Sequence, residues 1–378
     1  GADDGVEQPH HKPPDMTSYV VKAKNGAIVR SEKDLASAQV DVVPAGADVA
    51  VAETVDGRCR LTAPVAGWCS LKVLAARRRR QVVDAFTFYN EFAMLEFRLE
   101  EVGAHVDWIV VCEATRTHAG RPKPLLFEQH LDRYAAYLPK IVHVVDDDMP
   151  ATDDAWVREH HQRDALAAGL AALGLADDDV VLLTDADEIV NVACLPRLRA
   201  APPKLRALSM RTFYYDFRFR WRDAWDAYPK AAPWAELRRL GCQAARMVPA
   251  RETVPMAGWH LSYFGDEAFV RNKLEQFAHQ EFNTPRDLEK VGERMRAGLN
   301  LTDEPFDRVP EDEADLPAHK PLLERLLRDA AGAAVEDRAA KESEIPNFKG
   351  SYLGRFPLVL ADSWTSDHLS ERSRSMDA

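Results

Sequence analysis

The chain has 378 residues, 46% hydrophobic and 29% charged, which fits a globular protein of one large domain plus a small one, or of two to three domains. A net charge of -12 argues against a general nucleic-acid or anionic-membrane binder, and no apolar stretch approaches the roughly 18 residues of a membrane helix. Five scattered cysteines without a Cys-x-x-Cys pair argue against a zinc site and leave the redox compartment open.

Residues 1–16 are polar, with His10-His11-Lys12-Pro13-Pro14, and read as a disordered leader. The chain opens Gly1-Ala2-Asp3-Asp4 with neither an initiating Met nor a signal peptide. It reads as a truncated or processed product, which leaves room for a removed anchor. From 17 to 76 short strands alternate with turn signals such as Asn25-Gly26 and Asp56-Gly57: Tyr19–Ala23, Asp48–Ala52, Arg58–Leu61 and Gly67–Leu71. Cys59 and Cys69 fall on neighbouring strands of one hairpin, as a disulfide or as two reduced core cysteines. Residues 77–81, with Arg77-Arg78-Arg79-Arg80, mark a basic linker whose plainest reading is a solvated junction.

A larger domain spans 82–365. Val82–Phe88 reads as a strand and Asn90–Leu99 as a helix. Val106–Glu113 and Pro139–Asp146 read as further strands, and Trp156–Leu173 as an Ala- and Leu-rich helix. Alternation of this kind predicts an α/β sheet. The next run, Val180-Val181-Leu182-Leu183, is short and β-branched like a buried strand, and it ends in Thr184-Asp185-Ala186-Asp187-Glu188. Ligands gather at the carboxyl ends of such strands. Asp185 and Asp187 are two apart, so in extended chain they point the same way and repel unless a cation sits between them. A hard divalent ion is the natural candidate, and such ions usually arrive with substrate phosphates. The plainer reading is a solvated acidic turn. No Gly-x-Gly-x-x-Gly or Walker-type loop appears, so dinucleotide enzymes and ATPases lose ground.

Beyond it come the aromatic strand Leu208–Tyr215, three tryptophans (Trp221, Trp225, Trp234) that could stack on a sugar or fill the core, and the dense stretch Met256–Gly265. A helix is expected from Glu267, followed by the polar block His279–Asn283. Residues 302–340 are acidic and helix-rich without evident chemistry, and 366–378 form a polar tail.

Five blocks occur in one order: Phe88-Tyr89-Asn90-Glu91-Phe92 with Met94-Leu95-Glu96; Gly120–Leu125; Asp185-Ala186-Asp187-Glu188-Ile189; Gly258–Gly265; and His279–Asn283. Together they resemble glycosyltransferase family 17 over about residues 82–300. The segment ending Gly67–Leu74 resembles the last hairpin of bacterial-type SH3-like domains. The first resemblance implies a GT-A type Rossmann-like fold behind a small SH3-like β-barrel, UDP-GlcNAc as donor, a divalent metal (usually Mn2+) and an inverting reaction. It also implies transfer to a mannose of an N-glycan or glycoprotein, giving bisecting β-1,4-GlcNAc, in the Golgi lumen behind a membrane anchor. The chain departs from the family in carrying the small domain and in having Val190-Asn191 where a Pro is common. Its block at 279–283 looks more microbial or algal than vertebrate, which puts the acceptor in doubt. Another donor or acceptor is the alternative, as is an inactive transferase that binds glycan or peptide through the small domain.

On this resemblance Asp187 contacts the metal directly, Asp185 holds ribose or a metal-bound water, and His260 is a second protein ligand. Glu113 would accept from uracil. Lys123 and Arg163, with Gly265 and Lys273, would serve the donor's charged part. The acceptor-side base comes from Asp216, Glu236, Asp266, Glu267 or Glu281. Glu281 is preferred and Glu267 is second, and an ordinary helix-terminal carboxylate is the plainer reading of both.

Overall fold

The computed structural model describes residues 17–76, 78–310, 313, 316–337 and 358–360. The leader expected at 1–16 and the tail at 366–378 lie outside them. The chain divides into two compact units, 1–79 and 80–378.

The first unit is all β: β1 (Thr17–Val21), β2 (Ala27–Arg30), β3 (Gln39–Val43), β4 (Asp48–Val55), β5 (Arg58–Ala63), β6 (Gly67–Ser70) and β7 (Leu74–Ala76). They form one antiparallel sheet in the order β3-β2-β6-β5-β4-β1-β7. Alternate residues such as Val49, Val51, Cys59 and Leu61 point into a common core, as the period of a strand requires. Gly26, in the turn between β1 and β2, has φ +81°, and a Cβ there would lie 2.6 Å from the Val43 carbonyl oxygen of β3. Cys59 and Cys69 sit directly opposite each other, buried, as free thiols. Of the two readings of the pair, reduced core cysteines is the one found. Burial, and then its neighbour Cys59, pushes the Cys69 thiol up to about 11.

The second unit runs β8 (Val82–Thr87), α1 (Phe92–Val102), β9 (Trp108–Ala114), α2 (Leu126–Gln129), β10 (Ile141–Asp146), α3 (Ala155–Ala172), β11 (Val180–Leu183), β12 (Glu188–Val190) and α4 (Leu195–Ala200). It continues through β13 (Arg206–Tyr214), β14 (Phe219–Arg220), β15 (Lys230–Pro233), α5 (Trp234–Leu240), α6 (Cys242–Met247) and β16 (Thr253–Ser262). Last come α7 (Glu267–Gln276), α8 (Pro285–Ala297), β17 (Asp307–Arg308), α9 (Lys320–Asp337) and β18 (Leu358–Leu360). The sheet order is β12-β16-β13-β15-β11-β8-β9-β10-β18, with β14 and β17 paired at one side.

The centre of this sheet is parallel, β11-β8-β9-β10, and buried on both faces. Alternate residues therefore divide between two cores. Val180 and Leu182 face one with α1, while Val181 and Leu183 face the other with α3. This double burial is why the strands read as unbroken apolar runs. Gly169 lets α3 lie close, because a Cβ there would meet Val144 at 2.6 Å and Val110 at 2.7 Å. The chain moves outward from β8 through β9 to β10, then returns to place β11 on the other side of β8. The strand order reverses between β8 and β11, and the loops leaving their carboxyl ends open a crevice there. Among the described residues, no helix is long and apolar enough to cross a membrane.

Candidate active site

The acidic turn between β11 and β12 is held from below by an arginine. Arg98 of α1 is 1% exposed. It donates to both oxygens of Asp84 at 2.8 and 2.6 Å and to Thr184 Oγ1 at 2.5 Å. It also donates to the carbonyl oxygens of Asp185, Ala186 and Glu188 at 2.8, 3.3 and 3.0 Å. One guanidinium thus bonds three carbonyls of the turn, of which Asp185's also accepts from the Glu188 N–H at 3.0 Å. A second arginine, Arg246 of α6, donates to both Glu188 oxygens at 2.9 and 2.8 Å and to Asp185 Oδ2 at 2.6 Å. Arg163 of α3 reaches Asp185 Oδ1 at 3.1 Å and Glu159 at 2.6 Å. Lys273 of α7 holds Asp187 Oδ2 at 2.8 Å.

The repulsion expected within the acidic turn is therefore met by protein cations: Arg163, Arg246 and Lys273 face Asp185, Glu188 and Asp187. Burial alone would raise the Asp185 carboxyl, but Arg246 and then Arg163 outweigh it and hold it well below the usual range. Asp187 is likewise lowered: burial opposes, and Lys273 and His260 prevail. Burial would lower the Lys273 ammonium, yet Asp187 raises it on balance.

Asp185 has both oxygens on arginine, so it is not placed as a metal ligand, and Arg163 is turned to Asp185 rather than to the crevice. Asp187 and His260 do converge. β12 pairs with β16 so that Glu188 lies opposite His260, and His260 Nε2 comes within 3.8 Å of Asp187 Oδ1. The buried Nδ1 of His260 has no hydrogen-bond partner, and the ring of Trp225 covers the imidazole at 4.5 Å. One carboxylate and one imidazole suit a divalent ion as a partial set, with substrate oxygens and water supplying the rest. Among the described residues no group of three such donors converges.

Two cavities lie near the turn, one of them lined by Asp187, and they share Glu91 and Lys273. The larger, about 280 Å³, carries Asp187, Asp266, Tyr263 and Gly265 at its polar side and Phe92, Phe264 and Leu327 at its apolar side. Gly265 is required there, because a Cβ would lie 2.4 Å from the Phe269 ring. Tyr263 takes a left-handed backbone (φ 59°), strain of the kind that collects at functional sites. The smaller cavity lies at the carboxyl ends of β8 and β9, lined by Tyr89, Arg116, His118 and Lys123. The Lys123 Nζ is buried without a hydrogen-bond partner, 5.3 Å from the Tyr89 ring centre, and burial lowers its pKa.

Glu113 is elsewhere. It is 0% exposed, accepts from the backbone N–H groups of Phe127 and Glu128 at 3.0 Å each, and lies 2.9 Å from His143 Nε2. It anchors the start of α2 and does not line the crevice. Glu281 is 55% exposed and takes a bond from His279 at 2.6 Å; Glu267 pairs with Arg271 at 2.7 Å. Neither lines either cavity. Asp266, weighed with them, does, and its Oδ1 caps α7 by accepting from Phe269 N at 2.7 Å. The tryptophans pack inward. Trp234 is core, Trp221 meets Phe306, and Trp225 covers His260 and donates to Glu188.

Arg98, Arg246 and Glu91 were not singled out from sequence. The signal for Arg98 was there. It lies among Met94, Leu95, Phe97, Leu99 and Val102, on a helix facing a strand whose only charge is Asp84.

The model of "Glycosyltransferase family 17" matches residues 56–313. The beta-1,4-mannosyl-glycoprotein 4-beta-N-acetylglucosaminyltransferases of Rattus norvegicus and Homo sapiens are each 35% identical over 116 residues, 29% of this chain and 22% of the relative. The chain thus aligns with about a fifth of those relatives' length. A mannosyltransferase from Pyrobaculum calidifontis, solved with GDP-Man and Mn2+, covers 71% of this chain and 77% of its own at 16% identity and a TM-score of 0.30, too low to establish a shared fold. The family match begins in the Asp56-Gly57 turn, inside the first unit and upstream of the expected start near residue 82.

Proposed function

Since the chain belongs to glycosyltransferase family 17, we propose that it is an inverting transferase moving GlcNAc from UDP-GlcNAc to a mannose of an N-glycan. The observation that carries this reading is the crevice at the strand-order reversal. There Asp187 lines a largely apolar cavity, and Lys273, bonded to Asp187, also lines a second, cationic one. Lys123 and Arg116 suit the charged part of a nucleotide sugar, with the Tyr89 ring beside them. The larger cavity suits the transferred sugar and the acceptor, which need an apolar wall with a few fixed polar groups. The choice of GlcNAc and of a mannosyl acceptor rests on the relatives' activity.

Asp187 and His260 would hold a divalent ion, Mn2+ in this reading. When bound it supplies Lewis-acid stabilisation of the departing diphosphate. Asp185, fixed by Arg163 and Arg246, orients the turn. The base is assigned to Asp266 in place of Glu281 or Glu267. The acceptor hydroxyl oxygen forms the bond to the anomeric carbon as the bond to the diphosphate oxygen breaks, and the hydroxyl proton passes to Asp266. Lys273 and Lys123 meet the charge that leaves.

The small β unit is read as an SH3-like module that contributes no catalytic group. The test is UDP release from UDP-GlcNAc, UDP-Gal and UDP-Glc with Mn2+ and a biantennary N-glycan. The expected result is turnover with UDP-GlcNAc and a product carrying one added GlcNAc. Turnover with another donor alone redirects the donor assignment. Absence of turnover with all three, together with glycan binding by residues 1–79, means an inactive binding protein. Asp187→Asn should lower turnover by at least about 100-fold.

A further inference from the structure

We infer that Lys273 is a stand-in cation: it holds the Asp187 oxygen that a divalent ion would share and passes to the donor diphosphate when ion and nucleotide arrive together. This rests on the ion site read above at Asp187 and His260.

The contrast between the two aspartates is the starting point. Asp185 is clamped by two guanidiniums from helices on its buried side, Arg163 and Arg246, both under 5% exposed as whole residues. Planar forks of this kind are fixed partners. Asp187 is held by a single ammonium on a flexible four-carbon stem, Lys273 Nζ at 2.8 Å, with its other oxygen 3.8 Å from His260 Nε2. The stem is rooted firmly, since Val270 and Leu274 on either side of it in α7 are fully buried. Its tip is less confined, resting 5.2 Å from the Tyr263 ring centre. The Nζ can therefore shift without moving the helix.

Two protein donors are a poor site for an ion that wants about six oxygen or nitrogen ligands, so most of the coordination must come from diphosphate and water. A part-buried ammonium already bonded to one of the two donors competes for the same lone pairs. An ion arriving alone must displace it from the one carboxylate it is bonded to, which is costly. An ion arriving with a diphosphate does not bear that cost, because the displaced ammonium finds a new anion. The location allows the exchange. Lys273 lines both cavities, and the smaller one carries Lys123, whose Nζ has no partner, with Arg116 beside it. A diphosphate reaching from the cationic cavity toward Asp187 passes Lys273.

Linkage then requires that nucleotide tighten the ion and the ion tighten nucleotide by one factor, typically 5–150-fold. The experiment titrates Mn2+ into the full chain with and without UDP, reading free Mn2+ by electron paramagnetic resonance, so that no turnover is involved. The wild type should bind Mn2+ weakly alone and at least about tenfold more tightly with UDP. Lys273→Met should bind Mn2+ alone about tenfold more tightly than wild type and lose most of the gain from UDP. Lys273→Gln should do the same if the methionine disturbs packing, and Lys273→Arg, which keeps the charge but as a fixed fork, should hold Mn2+ binding weak and gain less from UDP than the wild type. Neutral variants that bind Mn2+ alone no better than wild type overturn the inference while leaving the ion site intact. Mn2+ binding that Asp187→Asn leaves unchanged, with UDP present, overturns the site itself.

Discussion

Arg98 is the residue on which the acidic turn depends. Replacing it with Met leaves Asp84 buried without its partner, a loss of about 3–5 kcal/mol, and frees the carbonyls of Asp185, Ala186 and Glu188. Urea unfolding should show that loss. Pairing the change with Asp84→Asn should recover part of it, because no unpaired charge then remains. Asp185 makes a second prediction, in pH. Its carboxyl is held below the ordinary value near 3.9, so it contributes stability that is complete above that value and lost as pH falls through the depressed one. Stability should hold from pH 7 to about 5 and drop below about 4, and the drop should be shallower in Asp185→Asn. Asp185 and Asp187 were legible because carboxylates at the end of an apolar run are conspicuous. Their partners were not, since Arg163 and Arg246 stand 22 residues before and 61 after Asp185 and meet it only through the fold.

At the scale of elements, β16 and α7 decide which acid faces the cavity. β16 ends at Ser262, Tyr263 turns left-handed, and α7 begins after its cap Asp266. The cap residue therefore points into the cavity and Glu267, one position on, points to Arg271 and α8. Asp266→Asn should cut transfer by at least about 100-fold with UDP and Mn2+ binding nearly unchanged, while Glu267→Gln and Glu281→Gln stay within about threefold. A large loss in Glu281→Gln alone returns the role to Glu281. The same strand carries Gly258, where a Cβ would lie 2.1 Å from the Ile189 carbonyl oxygen. Gly258→Ala should destabilise by about 1–3 kcal/mol and weaken Mn2+ binding too, because it pushes apart the β12–β16 pairing that sets His260 opposite Glu188. Sequence placed the helix from Glu267 well. It could not say which of two adjacent acids faces inward, because that depends on a single left-handed residue before the helix.

Across the whole molecule, the division at residues 79 and 80 predicts that the second unit folds alone. Residues 80–378 should keep cooperative unfolding and wild-type affinity for UDP, measured by calorimetry. Loss of UDP affinity would assign the first unit a part in the donor site, and the family match reaching back to residue 56 makes this worth measuring.

The sequence by itself determined the α/β alternation, the strand Val180–Leu183 and the acidic turn after it. Those features follow from local rules: double burial makes apolar runs, and a strand end tolerates charge. It also placed Asp187, His260 and Gly265 in the blocks that resemble the family, and Lys273 on the helix expected from Glu267. The tertiary structure alone decided their partners. It set Arg98 beneath the turn, gave both oxygens of Asp185 to arginines and one oxygen of Asp187 to Lys273, drew Glu113 into the anchoring of α2, and left Glu281 outside both cavities. The physical reason is range. Strand and helix periods are written in neighbouring residues, whereas the pairing of a buried charge is chosen among side chains tens of residues away and fixed only when the sheet order is.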